Sequence, residues 1–244
     1  MAGIGQLELG LCCGPDACEE AMAAGFDYVE LPAWLLAGGA DYSGLPVGAT
    51  NLFFSGPLSL WKDPEACRVH ARLVIGRAVE QGIKLMVIGS GGVRRALDGE
   101  DPQTRELDFC DFVAELQAEF PAVTLAPESL NRDETNVGND YNPLALALKE
   151  RGCGVTLDAY HSAKEPGFAG WDGFIQVLPN HLHISSRKRD MPGRDDEFLL
   201  ELFRNLAEMG YQGRASYEGA WNLSLNECRE NLAALAAKAG FLIS

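Results

Sequence analysis

The chain has 244 residues, 47% of them hydrophobic, and a formal net charge of -15 from 35 acidic against 20 basic residues. That acid excess excludes a protein whose main partner is the phosphate backbone of a nucleic acid, which calls for a basic surface. No apolar run approaches the ~18 residues that cross a bilayer. The N-terminal MAGIGQLELG also lacks the charged region and apolar core of a secretion signal, so a cytoplasmic protein without a membrane partner is expected.

Short apolar runs suited to strands recur along the chain: LELGLCCG (7 to 14), DYVELPA (27 to 33), ATNLFFSG (49 to 56), KLMVIGSGG (84 to 92), VTLAPESL (123 to 130), VTLDAYH (155 to 161), HLHIS (181 to 185) and RASYEG (214 to 219). Helical segments lie between several of them. DPEACRVHARLVIGRAVEQG offers Asp63 as N-cap, Pro64 at the first helical position and Gly82 as a stop. TRELDFCDFVAELQAEF, NPLALALKERG, DDEFLLELFRNLAEMG and SLNECRENLAALAAKAG read the same way, several ending in glycine. Residues 34 to 46 predict at most a short helix, and the sixth helix, in 164 to 180, is weakly marked.

Strand and helix alternate about eight times in a length close to the roughly 250 residues of a closed (β/α)8 barrel. A single α/β domain of TIM-barrel type over residues 1 to 244 is therefore expected, with an open doubly wound sheet as the runner-up. No G-x-G-x-x-G follows an early strand, and polar residues gather at many strand ends rather than at one switch point, which favours closure. The seven cysteines, at 12, 13, 18, 67, 110, 153 and 228, are odd in number and scattered, and read as reduced thiols.

From the fifth strand onward each strand end carries a metal-capable side chain: Glu128, Asp158, His183 and Glu218. Their spacings of 30, 25 and 35 residues are each about one βα unit, so a barrel would bring them to one mouth. Three clustered carboxylates repel, and a divalent cation would relieve that repulsion. One nitrogen and three oxygens suit Mn²⁺, Mg²⁺ or Co²⁺ better than a structural zinc, although Zn²⁺ is admissible.

The motifs GFDYVELP, VIGSGGVRRALDG, PESLNRDETN, LDAYH, HLHISSRKRDMPGR and YQGRASYEG together resemble the xylose isomerase-like barrel superfamily. Within it the resemblance is to the sugar phosphate isomerase and epimerase group, which includes ketose 3-epimerases, hydroxypyruvate isomerases and inosose dehydratases. The resemblance implies the same four metal ligands and prefers His183 to His181 in the H-x-H pair. It further implies substrate contacts at Glu134, His161 and Arg189. Asn131, Arg132 and Asn136 are expected to hold the loop, and Tyr160 to pack. In the VIGSGG turn, Gly89, Gly91 and Gly92 would either let the backbone approach a ligand or make a plain tight turn. The sequence departs from the family pattern at PGRDDEF, where Arg194-Asp195 replaces a second glycine and would alter the lip of the pocket. The loops after the second and third strands look short, which would leave the pocket open.

The activity implied is isomerisation or epimerisation of a small sugar or sugar phosphate by proton transfer through an enediolate. Glu128 and Glu218 would be the acid and base, with one divalent ion as Lewis acid. The alternative is a metal-dependent dehydratase of a keto-polyol. A non-catalytic sugar-binding barrel and an apurinic-site endonuclease rank lower; the latter needs three metals and histidines that NLFFSG does not offer. Assembly into a homo-oligomer is left open.

Overall fold

A computed structural model describes residues 5–243. Eight parallel strands follow one another around a nearly closed barrel: β1 (Gln6–Cys12), β2 (Tyr28–Pro32), β3 (Val47–Asn51), β4 (Leu85–Ile88), β5 (Thr124–Pro127), β6 (Thr156–Asp158), β7 (His181–Ile184) and β8 (Gly213–Tyr217). The β1–β8 pairing closes one side, from Leu7 opposite Gly213 to Leu11 opposite Tyr217. Between β5 and β6 the ladder thins to a bridge of Glu128 with Thr156. Gly154 N–H donates to the Leu125 carbonyl at 2.9 Å and Thr156 Oγ1 to the Ala126 carbonyl at 3.1 Å. All eight expected strands are present, and the doubly wound alternative is overturned by the β1–β8 pairing.

The helices are α1 (Cys18–Ala23), α2 (Trp34–Ala37), α3 (Pro64–Glu80), α4 (Gly91–Arg94), α5 (Pro102–Glu119), α6 (Tyr141–Glu150), α7 (Ala159–Lys164), α8 (Glu197–Glu208) and α9 (Leu225–Lys238). The expected cap at Asp63 forms, its carboxylate accepting the Ala66 N–H at 3.1 Å with Pro64 just inside the helix. Asp101, Asp196 and Ser224 cap α5, α8 and α9 in the same way, each satisfying an N–H that the first turn leaves without an intrahelical partner. A short β9 (Leu242–Ile243) pairs with the start of β1, an element the local pattern did not announce.

The sixth unit differs from expectation. VTLDAYH is strand only to Asp158, and α7 begins at the next residue, with the Asp158 carboxylate accepting the His161 N–H at 2.6 Å. No helix forms over residues 165 to 180. Phe168 packs edge to face on Trp171, Phe174 and Phe198, Trp171 packs edge to face on Phe174 and at a tilt on Phe198, and ring centres are 4.8 to 6.1 Å apart, so aromatic burial rather than backbone periodicity orders the segment.

Leu7, Leu9, Leu11, Leu31, Met86, Leu125, Leu157 and Leu182 are all inaccessible to solvent and pack on the helix-facing side of the strands, whereas Ala49, Leu85 and Ala126 form a separate small apolar group on the inner face. A polar column is set beside them, made of Tyr28 and Glu30 from β2, His181 and His183 from β7, and Ser216 from β8. The Tyr28 ring takes the space that side chains at positions 10 and 48 would need. A Cβ added at Gly10 or Gly48 would lie 2.2 or 2.3 Å from ring carbons, so both positions require glycine.

Candidate metal centre and active site

Strand register places the four predicted ligands at one level of the C-terminal mouth. Asp158 of β6 pairs with His183 of β7, while Glu128 and Glu218 follow directly after β5 and β8. One donor atom from each of Glu128, Asp158, His183 and Glu218 lies within 4.8 Å of the other three. His183 Nδ1 is the centre of the group, 3.0 Å from Glu128 Oε1, 3.5 Å from Glu218 Oε2 and 3.9 Å from Asp158 Oδ2. Glycine follows β4 because of this cluster: a Cβ on Gly89 would stand 2.7 Å from Glu128 Oε2, and one on Gly91 would strike the Glu134 carbonyl. These two glycines thus make room for the protein's own Glu128 carboxylate and Glu134 backbone.

The electrostatics are those of charges held in a largely dry place. Burial pushes the Asp158 carboxyl well above its ordinary range, and the neighbouring Glu128 and Glu218 carboxylates push it further. Burial also raises Glu218, but His183 and then Arg189 outweigh it and bring the group down to about 2. His183 is the converse: burial disfavours the imidazolium, yet Glu30, Glu128 and Glu218 hold its pKa well above the ordinary value. In the metal-free protein the surroundings therefore favour a proton on Asp158 and one on His183. A divalent cation can replace both, and the convergence of three carboxylate oxygens and one imidazole nitrogen fits such an ion.

The three expected substrate contacts surround this group. Arg189 Nη2 donates to Glu218 Oε2 at 2.8 Å, and its Nη1 lies 3.5 Å from Glu134 Oε1. Arg189 has a φ of 61°, a left-handed conformation uncommon for a non-glycine residue and frequent at functional sites. His161 is buried, with Nδ1 accepting from Asn131 Nδ2 at 2.6 Å, while Asn131 Oδ1 accepts the Asp133 N–H. Nε2 of His161 then carries the proton and faces Glu134 Oε1 at 3.9 Å. Asn136 holds the loop as expected, accepting the Ala96 N–H at 2.9 Å, and Arg132 pairs with Glu165 and Asp140. The Arg194-Asp195 departure is held against α9, where Lys238 Nζ reaches Asp195 Oδ1 at 2.7 Å and the Arg194 carbonyl at 3.0 Å.

Three residues at the site escaped the sequence reading. Glu30 is fully buried, and its two oxygens meet His181 Nε2 at 2.7 Å and His183 Nε2 at 2.9 Å. A glutamate flanked by apolar neighbours within DYVELP was the available signal. Cys12 forms a second compact group with Glu30 and His183. Arg94, also buried, donates from Nη2 to the Glu128 carbonyl at 2.7 Å and lies over the Phe109 ring at 4.9 Å. Tyr160, expected only to pack, has its ring under two cations, the Arg189 guanidinium at 4.9 Å and the Lys164 ammonium at 5.2 Å.

A nearly closed parallel barrel with a carboxylate-rich, histidine-centred cluster at its C-terminal mouth has the architecture of the (β/α)8 barrels, whose active sites sit at that end. Residues 18–239 match the xylose isomerase-like TIM barrel family, and the chain belongs to it. Among solved structures it is similar to 3-keto-D-glucoside 4-epimerase from E. coli, at 20% identity and a TM-score of 0.71, covering 95% of this chain and 100% of that one. It is also similar to D-psicose 3-epimerase from Clostridium cellulolyticum H10, at 18% identity and a TM-score of 0.69, covering 95% and 96% of the two chains. A third similar structure is D-allulose 3-epimerase from Methylomonas sp., at 19% identity and a TM-score of 0.69, covering 98% and 96%. No curated protein matches the sequence. No helix of the described residues is long and apolar enough to cross a membrane.

Proposed function

We propose that this protein is a divalent-metal-dependent isomerase or epimerase of a small sugar or sugar phosphate. The observation that carries the reading is the placement of Glu128 and Glu218 on strands three apart around the rim. Their oxygens flank His183 Nδ1 at 3.0 and 3.5 Å, with Arg189, His161 and Glu134 beside them. The named activities of the structural relatives, epimerases of keto sugars, support the same class.

Glu128, Asp158, His183 and Glu218 would hold the ion, whose chemistry when bound is Lewis-acid polarisation of adjacent carbonyl and hydroxyl oxygens. The chain's own groups do the rest. One of Glu128 and Glu218 takes the proton from the carbon next to the carbonyl, and the other returns a proton from its own side of the site. Arg189 N–H groups and the His161 Nε2–H are positioned to donate to sugar oxygens, and Glu134 to accept from a hydroxyl.

The test is incubation of the metal-loaded protein with a panel of ketoses and ketose phosphates in deuterated water. Deuterium uptake at the carbon next to the carbonyl, in an isomer heavier only by that one deuterium, is the expected result. A product lighter by one water would instead make the protein a dehydratase. Full activity in Glu128→Gln would remove that residue from the scheme.

A further inference from the structure

Glu30 lies inside the barrel, below the four residues proposed to hold metal. Its carboxylate is 0% exposed and bridges two histidines through their Nε2 atoms, at 2.7 Å for His181 and 2.9 Å for His183. A carboxylate only accepts hydrogen bonds, so each of those nitrogens must carry a proton for the contact to form. His183 is then left with Nδ1 to present to the carboxylate group, and Nδ1 is the atom found 3.0 Å from Glu128 and 3.5 Å from Glu218.

The column continues below Glu30. Ser216 Oγ stands 3.3 Å from His181 Nε2 and 2.9 Å from the Tyr28 hydroxyl, so the polar atoms nearest the carboxylate are themselves partnered. Glu30 and Tyr28 alternate on one face of β2, His181 and His183 on one face of β7, and Ser216 on β8 pairs with His183 across the ladder. Three strands therefore orient one imidazole. Burying an ionised carboxylate is costly unless its oxygens are well partnered, and two imidazole N–H donors on the two oxygens meet that requirement.

We infer that Glu30 is a positioning residue for the metal centre: it fixes the His183 ring so that Nε2 holds the proton and Nδ1 faces the ion. This inference rests on the metal-binding reading above and adds a residue to it. A glutamine at position 30 has one acceptor oxygen where glutamate has two, so Glu30→Gln cannot serve both histidines, although it keeps the shape.

The experiment uses the full chain with Mn²⁺ for affinity and Zn²⁺ for spectroscopy. Long-range ¹H–¹⁵N spectra of the Zn²⁺-loaded protein, with the four histidines assigned by single substitutions, should place the His183 proton on Nε2. Glu30→Gln should weaken Mn²⁺ binding by roughly 10- to 100-fold, the usual cost of removing an outer partner of a metal-bound histidine. It should also speed exchange of the His183 Nε2 proton in metal-free protein held well below its melting temperature. A merely structural role would lower the melting temperature and leave both readouts unmoved. A His183 proton on Nδ1 in the loaded, unsubstituted protein overturns the inference even if the variant fails to fold. Unchanged Mn²⁺ affinity in Glu30→Gln also overturns it, while leaving the metal reading intact. Failure of the unsubstituted protein to bind any divalent ion overturns both.

Discussion

Arg189 and Glu218 form a direct ion pair, Nη2 to Oε2 at 2.8 Å, at the edge of the proposed metal centre. The guanidinium thus competes with a metal ion for the same carboxylate oxygen, yet it is also placed to bind substrate. Arg189→Met should accordingly bind Mn²⁺ more tightly, by roughly two- to fivefold for a partly exposed pair of about 0.5–1 kcal/mol. Turnover should fall far more, by about 10²-fold or beyond, with loss of a charged substrate contact. Titration calorimetry and steady-state kinetics on one preparation separate the two effects, and weaker metal binding would show that Arg189 supports the ligands instead.

Metal-free stability should peak on the acid side of neutral. Glu218, lowered from 4.5 to about 2, contributes stability that is present above about 4.5 and is lost as pH falls toward 2. Asp158 and His183 act in the other direction, because both have folded-state pKa values above their ordinary 3.8 and 6.5. Their contributions are full below those ordinary values and are lost as pH rises through the raised ones. Melting in the presence of a chelator should show a maximum at about pH 4–4.5 and a decline as pH rises above the ordinary values of Asp158 and then His183, and saturating Mn²⁺ should flatten the decline. A chelated protein whose stability climbs steadily to pH 9 would contradict this arrangement of charges.

Tyr160 supports two cations on one ring, Arg189 at 4.9 Å and Lys164 at 5.2 Å, while Lys164 reaches across to Asp133 at 2.7 Å. The aromatic face is what matters there. Tyr160→Phe should leave KM close to that of the unsubstituted protein, whereas Tyr160→Leu should raise it about two- to fivefold, from loss of about 0.5–1 kcal/mol of cation–π attraction. Equal effects of the two substitutions would point to the hydroxyl instead.

Arg94 tests how a buried charge is tolerated. Burial lowers its guanidinium to about 10, so it remains charged at neutral pH, and only Nη2 has a hydrogen-bond partner, leaving Nε and Nη1 without one. Arg94→Met forfeits the bond to the Glu128 carbonyl but also removes two unpaired donors, each worth about 1–3 kcal/mol of desolvation. The melting temperature should move by less than about 5 °C, while Mn²⁺ affinity falls as the Glu128 backbone loses its anchor. A drop of 15 °C or more by calorimetry would mean that the cation–π contact with Phe109 stabilises the fold more than its neighbours suggest.

What the sequence by itself determined is what depends on local period and on recurrence. Eight apolar strand runs, the Asp63 and Pro64 helix start, and four ligand candidates in phase with the βα repeat are all readable along the chain. Tertiary structure decided the contacts that cross the barrel and the segments ordered by packing. Glu30 and His183 are 153 residues apart in sequence, and nothing local to either strand reports that their side chains meet. Residues 165 to 180 are held by an aromatic cluster rather than by a helix, and Tyr160 acquires two cations from separate segments. The physical reason is common to all of these. A strand's alternation says which face a residue takes, but only closure of the barrel says which other faces it will meet.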